Sequence, residues 1–314
     1  MEIELWWLLV LPAFFGLGWI AARIDIKHLL KESRALPRSY FKGLNFLLNE
    51  QPDQAIEAFI EAARVDPETI ELHFALGNLF RRRGETDRAI RVHQNLIERD
   101  GLSANQRLHA LSELGQDYLK AGLLDRAEDI FLKLRGTDRD EEALKNLLEI
   151  YQQEKEWAKA IAIAEAMPNH SDHLWQKEIA EFRCEMAANE MLHDRHDEAR
   201  RLLEDALAAN RKCVRATLLL GELALKVGAG ETAIDHWKSI EQQNPVYLSL
   251  AAEKLMAAHV QAGRMEQGNQ LLRGWLERHP SLDLLDAVFR AELENDGAEA
   301  AYALVRDELR RNPT

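Results

Sequence analysis

Cysteine is almost absent from this sequence, which has two among its 314 residues, Cys184 and Cys213. Two thiols cannot form a four-thiolate zinc site, and a single pair is far below the cysteine density of small secreted domains. Glycine and proline are also few, at 16 and 8 residues, which excludes collagen-like and low-complexity chains. Most of the chain is therefore predicted to be globular and to lie in the reducing cytoplasm.

Basic residues are in the minority, and the formal net charge is −13 at pH 7. An acidic chain of this kind is a poor polyanion ligand, so nucleic acid is not a predicted partner. The phosphate-binding loop, the zinc-protease helix, the nucleophile elbow and the dinucleotide fingerprint all have no match in the sequence. We therefore predict a protein that is not an enzyme and has no catalytic residues.

Two histidine pairs have a spacing that can place imidazoles side by side, namely His170 with His173 and His193 with His196. Both pairs lie in polar stretches, where solvated loop histidines are more common than metal ligands. No metal site and no cofactor are predicted from them.

One long apolar run occupies residues 5–22, which carry no charged side chain. At a rise of about 1.5 Å per residue the run covers roughly 27 Å, close to the hydrocarbon thickness of a bilayer. Glu2 and Glu4 precede it, where a cleaved signal peptide has basic residues. We predict that residues 1–22 form a retained transmembrane anchor; the alternative is an uncleaved helix that lies in the interface.

The segment that follows the anchor is basic. Residues 23–42 contain six Lys and Arg against two Asp and Glu, and basic flanks stay in the cytoplasm. The predicted topology is a single membrane pass with the N-terminus outside, a basic juxtamembrane segment at 23–35 and the remainder in the cytoplasm. Gly18 and Ala22 form a predicted small-residue contact with another membrane helix, with lipid contact as the alternative.

A repeat of about 34 residues fills the remainder of the chain. In a tetratricopeptide unit that starts at Leu36, the small residues Gly43 and Ala55 stand at positions 8 and 20, and Pro67 stands at position 32. The same register in later units is marked by Gly77, Ala89, Gly115, Ala127, Ala160, Ala199, Gly221 and Ala233.

Small residues at positions 8 and 20 allow the two helices of one unit to approach closely, and proline at position 32 ends the second helix. One hairpin buries only part of its apolar surface, so neighbouring hairpins must stack on it. We therefore predict an all-α fold, a right-handed superhelical solenoid of about eight tetratricopeptide hairpins over residues 36–314, with a concave face. Core packing is the predicted role of these repeat positions.

One stretch departs from the acidic background, because residues 81–99 contain six arginines against three acidic residues. Arginine binds carboxylates and phosphates in a bidentate manner. The alternative is a solvated edge whose arginines pair with acidic residues of adjacent units. The residues predicted to bind a partner are Arg81, Arg82, Arg83, Arg88 and Arg91.

Residues 43–61, 76–94 and 114–131, behind a short N-terminal anchor, resemble the lipopolysaccharide assembly protein B family of Gram-negative bacteria. The resemblance implies an inner-membrane adaptor with cytoplasmic repeats that restrains lipopolysaccharide synthesis. It also implies that the adaptor promotes degradation of the lipid A deacetylase, UDP-3-O-acyl-N-acetylglucosamine deacetylase, by the membrane protease FtsH. An inner-membrane lipopolysaccharide sensor protein is a further implied partner. The alternative is a general membrane-tethered scaffold or chaperone for envelope assembly.

The same resemblance implies a C-terminal rubredoxin-like module with two C-x-x-C pairs that bind a metal such as zinc or iron. The two cysteines of this sequence are 29 positions apart, so neither belongs to such a pair. No cofactor is therefore predicted in this chain.

Overall fold

The computed structural model describes residues 38–65, 69–168, 173–295 and 297–311. Every regular element in these ranges is a helix, which confirms the predicted all-α tetratricopeptide fold for the described residues. The predicted anchor and juxtamembrane segment lie outside the described residues, as do Gly18, Ala22 and Pro67. Among the described residues, no helix is both long and apolar enough to cross a membrane.

Sixteen α-helices occur in the described residues, and they form eight consecutive pairs. The pairs are α1 Arg38–Leu48 with α2 Pro52–Val65, α3 Ile70–Arg82 with α4 Thr86–Ile97, α5 Ala104–Lys120 with α6 Leu124–Leu134, α7 Asp140–Gln153 with α8 Trp157–Ala166, α9 His173–Leu192 with α10 His196–Ala209, α11 Val214–Lys226 with α12 Gly230–Gln243, α13 Leu248–Gln261 with α14 Met265–Arg278, and α15 Leu282–Asn295 with α16 Ala298–Arg311. A short 3-10 helix, Pro245–Tyr247, precedes α13.

The chain divides into two compact units, Met1–Ile130 and Phe131–Thr314. In the first unit, a core around Phe59 and Leu72 joins α1, α2, α3 and α4. In the second unit, the largest core surrounds Trp237 and joins helices α11 to α15. First helices of successive hairpins also pack on each other, as α9 does on α11 and α13 on α15. Each unit is therefore held by contacts between near neighbours in sequence, as expected for stacked repeats.

Three of the glycines at repeat position 8 lie beneath a large side chain 16 residues later. A Cβ added to Gly43 would lie 2.7 Å from the ring of Phe59, closer than carbon atoms approach in proteins. The same relation holds for two further pairs, Gly77 with His93 and Gly221 with Trp237. Glycine is needed here because the ring occupies the space of a side chain.

The remaining predicted repeat positions are also buried. Gly115 is buried in α5. The alanines with no exposed surface are Ala55, Ala89, Ala127, Ala160, Ala199 and Ala233. These residues lie where the repeat register predicts close packing.

Each of the eight hairpins turns at one residue with a positive φ. These residues are Glu50, Gly84, Gly122, Lys155, Asp194, Gly228, Gly263 and Gly297, with φ between 56° and 88°. In the first seven hairpins the next N–H donates to the carbonyl five residues earlier, at 2.8 to 3.0 Å. This is the Schellman bond that ends a helix when one residue adopts the left-handed conformation.

Candidate interaction surfaces

Arg81, in the last turn of α3, is tied to the fold by carboxylates of the next hairpin. Its guanidinium donates to Oδ1 of Asp117 at 2.7 Å, to Oε2 of Glu113 at 2.6 Å and to Oδ1 of Asn78 at 2.8 Å. Burial lowers the pKa of Arg81, but the hydrogen bonds to Glu113 and Asp117 outweigh it and raise the pKa. The side chain is 20% exposed, so little of it is available to a partner.

Asp117 also binds His93, and both of these side chains are fully buried. Nδ1 of His93 donates to Oδ2 of Asp117 at 2.5 Å. Nε2 of His93 has no partner among the described residues, and the ring covers Gly77. The pair joins α4 to α5. Solvent does not reach it, so a ligand does not reach it either.

Two more arginines of the predicted patch have acidic partners. Arg83 pairs with Asp53 of the preceding hairpin and with Glu85. Arg88 pairs with Glu85 at 2.6 Å, and its guanidinium lies 3.9 Å from the ring centroid of Phe80. Exposed pairs of this kind stabilise a fold little, but they reduce the charge offered to a partner.

Arg82 and Arg91 are exposed and have no acidic partner among the residues that the structure describes. The five arginines therefore do not form one uniform surface. Arg81 is committed to the fold, Arg83 and Arg88 are partly neutralised, and two cations remain free. Partner binding by this patch stays a prediction, and these two residues are the ones best placed for it.

The two histidine pairs noted in the sequence are not arranged as a metal site within the described residues. Nδ1 of His193 lies 2.8 Å from the carbonyl of Asn189, and His196 starts α10. His173 is exposed at the start of α9, whereas His170 lies outside the described ranges. Over the part of the chain that the structure describes, no group of three or more His, Cys, Asp or Glu side chains is arranged to hold a metal ion.

A cavity of about 900 Å³ in the second unit is bounded by α9, α11, the 3-10 helix and α13. Lys177, Lys212 and Arg215 line it, together with Glu181. Arg215 pairs with Glu185 at 2.7 Å and with Glu181 at 3.6 Å. Lys177 and Lys212 are exposed, and neither has an acidic partner among the described residues. The cavity therefore has an excess of positive charge.

The cavity also has an apolar side. Val214 and Leu218 of α11 line it, as do Tyr247 and Leu250 from the chain before and within α13. Tyr247 is 44% exposed and Leu250 is 54% exposed. These side chains offer apolar surface beside the cations.

Three amide side chains complete the lining of the cavity. Oδ1 of Asn210 accepts from the N–H of Lys212 at 3.1 Å, and Oδ1 of Asn244 accepts from the N–H of Val246 at 3.2 Å. The oxygens are thus engaged, which leaves the amino groups as donors. Gln243 has the reverse arrangement, since its Nε2 donates within the protein and its buried Oε1 has no partner among the described residues.

Cys184 and Cys213, the two cysteines of the chain, lie in contact beside this cavity. Their Sγ atoms are 3.8 Å apart and both thiols are free and buried. The hydrogen bond between them raises the pKa of Cys184, to which burial also contributes. The same bond and the N–H of Ala216 lower the pKa of Cys213, which lines the cavity. We therefore expect Cys213 to be the more reactive thiol of the pair.

Sequence reasoning did not find this cavity. Its cations at 177, 212 and 215 are scattered over three segments, so a search for local runs of charge passes over them. The sequence does contain a signal that could have found the cavity. First helices of successive hairpins share one side of a repeat array, so residues about one repeat apart lie close together there.

Comparison with known families agrees with the repeat register. A family model described as tetratricopeptide repeat matches residues 42–101 and 191–246. Lipopolysaccharide assembly protein B of Escherichia coli K12 is 37% identical over 311 residues, which are 98% of this chain and 79% of that protein. The protein of the same name from Haemophilus influenzae is 33% identical over 324 residues, with 99% of this chain and 81% of that protein covered.

Solved structures with similar folds are more distant. The TPR2AB-domain:pHSP90 complex of yeast Sti1 has a TM-score of 0.36 and 17% identity, and the match covers 86% of this chain and 95% of that chain. Pseudomonas aeruginosa pilF has a TM-score of 0.38 and 18% identity, and covers 66% of this chain and 91% of that chain.

Proposed function

Because this chain belongs to the lipopolysaccharide assembly protein B family, we propose that it is a membrane-anchored cytoplasmic adaptor that regulates lipopolysaccharide biosynthesis. Its tetratricopeptide architecture makes it a non-enzymatic scaffold for protein interactions. The observation that supports the proposal most strongly is the match to these relatives along 98% of the chain. A match of that extent includes the N-terminal residues as well as every described hairpin.

The proposed mechanism is the delivery of a substrate to a protease. The adaptor binds the lipid A deacetylase and the membrane protease FtsH, and the deacetylase is degraded. An inner-membrane lipopolysaccharide sensor protein is a further proposed partner of the adaptor. The adaptor supplies proximity and no chemistry, because holding two reactants together raises their effective concentration without a new catalytic group.

The membrane anchor belongs to the proposal because the protease acts at the inner membrane. Residues 1–22 cross the bilayer once with the N-terminus in the periplasm, and the repeats lie in the cytoplasm. Leu9→Arg with Leu17→Arg should prevent insertion, since each arginine near the bilayer centre costs roughly 2.5 to 3.5 kcal/mol. Retention of that variant in membranes washed at high salt would count against a spanning helix.

Two arginines are included as a contact for a partner. Arg82 and Arg91 are exposed and unpaired within the described residues. The double variant Arg82→Glu with Arg91→Glu should therefore weaken association with the protease, its substrate or anionic lipid. It should leave the melting temperature unchanged, because exposed charges contribute little to stability. Arg81→Glu is unsuitable for this test, because it would place a third carboxylate beside Glu113 and Asp117.

The decisive experiment measures the lifetime of the deacetylase in cells. Deletion of the gene should lengthen the half-life of the lipid A deacetylase in a pulse-chase, and this effect should vanish in cells whose FtsH is inactive. A general scaffold or chaperone for envelope assembly predicts an unchanged half-life with altered envelope composition. That result would replace the adaptor proposal.

A further inference from the structure

The cavity between α9, α11 and α13 carries unneutralised positive charge in an acidic chain. Lys177 and Lys212 line it, and neither has an acidic partner among the described residues. The chain as a whole has a net charge of −13, so a positive surface of this kind is opposite in sign to the net charge. Charge complementarity therefore selects an anionic ligand.

The hydrogen-bonding groups of the cavity suit an extended polypeptide. The amino groups of Asn210 and Asn244 are left to donate, because their oxygens already accept backbone N–H groups. A peptide backbone supplies carbonyl oxygens that accept from such donors along its whole length.

The apolar side of the cavity adds a second requirement. Tyr247 and Leu250 are both well exposed and lie beside the cations. Covering such side chains removes apolar surface from water, which favours a ligand with an apolar group next to its negative charge.

We propose that this cavity binds an extended acidic segment of a partner protein, with carboxylates at Lys177 and Lys212 and an apolar side chain against Tyr247 and Leu250. The inference rests on the proposed function, because an adaptor must recognise a segment of the protein that it presents. The cavity is the recognition site.

The two free cations of the cavity can be matched by two separate negative charges. Neither offers the bidentate geometry with which arginine binds a carboxylate or a phosphate. Arg215, the arginine among the described lining residues, is already engaged by the carboxylates of Glu181 and Glu185. The cations left are two lysines on separate segments, each a single point charge, and a segment with separated carboxylates can reach both.

Binding can be measured with the full chain in nonionic detergent and a short fluorescein-labelled peptide of glutamate and leucine. Fluorescence anisotropy should show saturable binding that weakens as salt is added. A peptide with glutamine in place of every glutamate should bind at least about tenfold more weakly, since it lacks the charge. Equal binding of the two peptides would overturn the assignment of an acidic ligand.

Variants locate the binding in the cavity. Lys177→Glu with Lys212→Glu should weaken peptide binding by about tenfold or more, whereas the matched pair Lys120→Glu with Lys133→Glu, exposed lysines outside the cavity, should bind as wild type does. Circular dichroism melts check the fold of each variant. If the reversed pair does not fold, Lys177→Gln with Lys212→Gln decides in its place, and wild-type affinity in that pair would overturn the proposal.

Three further outcomes separate this inference from others. If the chain binds phosphatidylglycerol vesicles through Lys177 and Lys212 but does not bind the acidic peptide, the ligand is a lipid and the proposal is wrong. If gene deletion stabilises the deacetylase but the folded lysine variant does not, the adaptor function stands and the cavity is not its recognition site. If gene deletion has no effect and the peptide still binds through the lysines, the adaptor function fails and the site remains.

Discussion

Nδ1 of His93 lies 2.5 Å from Oδ2 of Asp117, and neither side chain reaches solvent. The other oxygen of Asp117 binds Arg81 at 2.7 Å, so one carboxylate joins α3, α4 and α5. Position 24 of the preceding unit holds Phe59, which covers Gly43. The histidine thus takes the place of an aromatic core residue and needs the carboxylate as its partner.

Replacing Asp117 should therefore destabilise the first unit strongly. Asp117→Ala removes the acceptor of the buried His93 imidazole and one of the two carboxylates that bind Arg81, and the free energy of unfolding should fall by about 2 to 5 kcal/mol. Chemical denaturation followed by circular dichroism measures the loss. The control is Asp129→Ala on the exposed face of α6, and equal midpoints for the two variants would contradict a structural role for the pair.

The positive-φ turns predict opposite effects at two equivalent positions. Gly84→Ala forces a Cβ into the left-handed conformation and should lower stability by about 1 kcal/mol. Lys155, with φ of 59°, already bears that cost, so Lys155→Gly should raise stability by about 0.5 to 1 kcal/mol. Thermal melts of both variants test the sign, and shifts in the same direction would refute the shared turn geometry.

Two glycines within helices should also respond with opposite signs. Gly221 lies against the indole of Trp237, so Gly221→Ala overpacks the core and should cost about 1 to 3 kcal/mol. A Cβ at Gly274 meets mainly the flexible end of Arg278, at 3.1 Å. Gly274→Ala should therefore gain roughly 0.5 to 1 kcal/mol from helix propensity. Denaturation midpoints compare the two directly.

The two thiols should differ in their rate of alkylation. The pKa of Cys213 is lowered and that of Cys184 is raised, and the thiolate is the reactive form. Brief treatment of the folded protein with iodoacetamide, followed by peptide mapping, should find the label on Cys213 before Cys184. Preferential labelling of Cys184 would show that access, and not thiolate content, controls the reaction.

Acid should weaken the second unit through His259. Its side chain is buried in α13, and burial, with Arg264 and Lys238 nearby, lowers its pKa. The unfolded histidine takes up a proton near pH 6.5 and the folded one only at lower pH, so stability is lost as pH falls from about 6.5 to the lowered pKa. One such group contributes a slope of at most about 1.4 kcal/mol per pH unit.

Denaturation between about pH 7 and about pH 5 measures this slope. His259→Leu should reduce it, because the variant has no proton to bind in the unfolded state. His173→Leu, at an exposed position, is the matched control. A slope that is the same in wild type and His259→Leu would assign the acid sensitivity to other groups.

The repeat register was predictable because it depends on residue size at fixed spacing. Gly43 and Ala55 mark the first hairpin in the sequence, and both are buried in the fold. A glycine 16 positions before a large ring predicts close packing without any knowledge of distant contacts. Residue size and spacing therefore predict the hairpins, as they do in stacked repeats generally.

The partners of charged side chains were not predictable in the same way. Arg81 and Arg82 are adjacent in one run, yet the first binds Asp117, 36 residues later, and the second is exposed. A helix turns about 100° per residue, so neighbours in sequence point in different directions. Net charge over a window cannot separate an arginine that holds the fold from one that is available to a partner.

In seven hairpins a backbone hydrogen bond of 2.8 to 3.0 Å closes the turn between the two helices. This local closure bears on both the folding and the degradation of the chain. Most native contacts join residues close in sequence, so each hairpin can form as soon as it leaves the ribosome, and folding should be rapid for a chain of this length. Pulling on one end, as an unfoldase does, loads one hairpin at a time. Extraction should therefore proceed in small steps from the terminus, with no single barrier that protects the whole array.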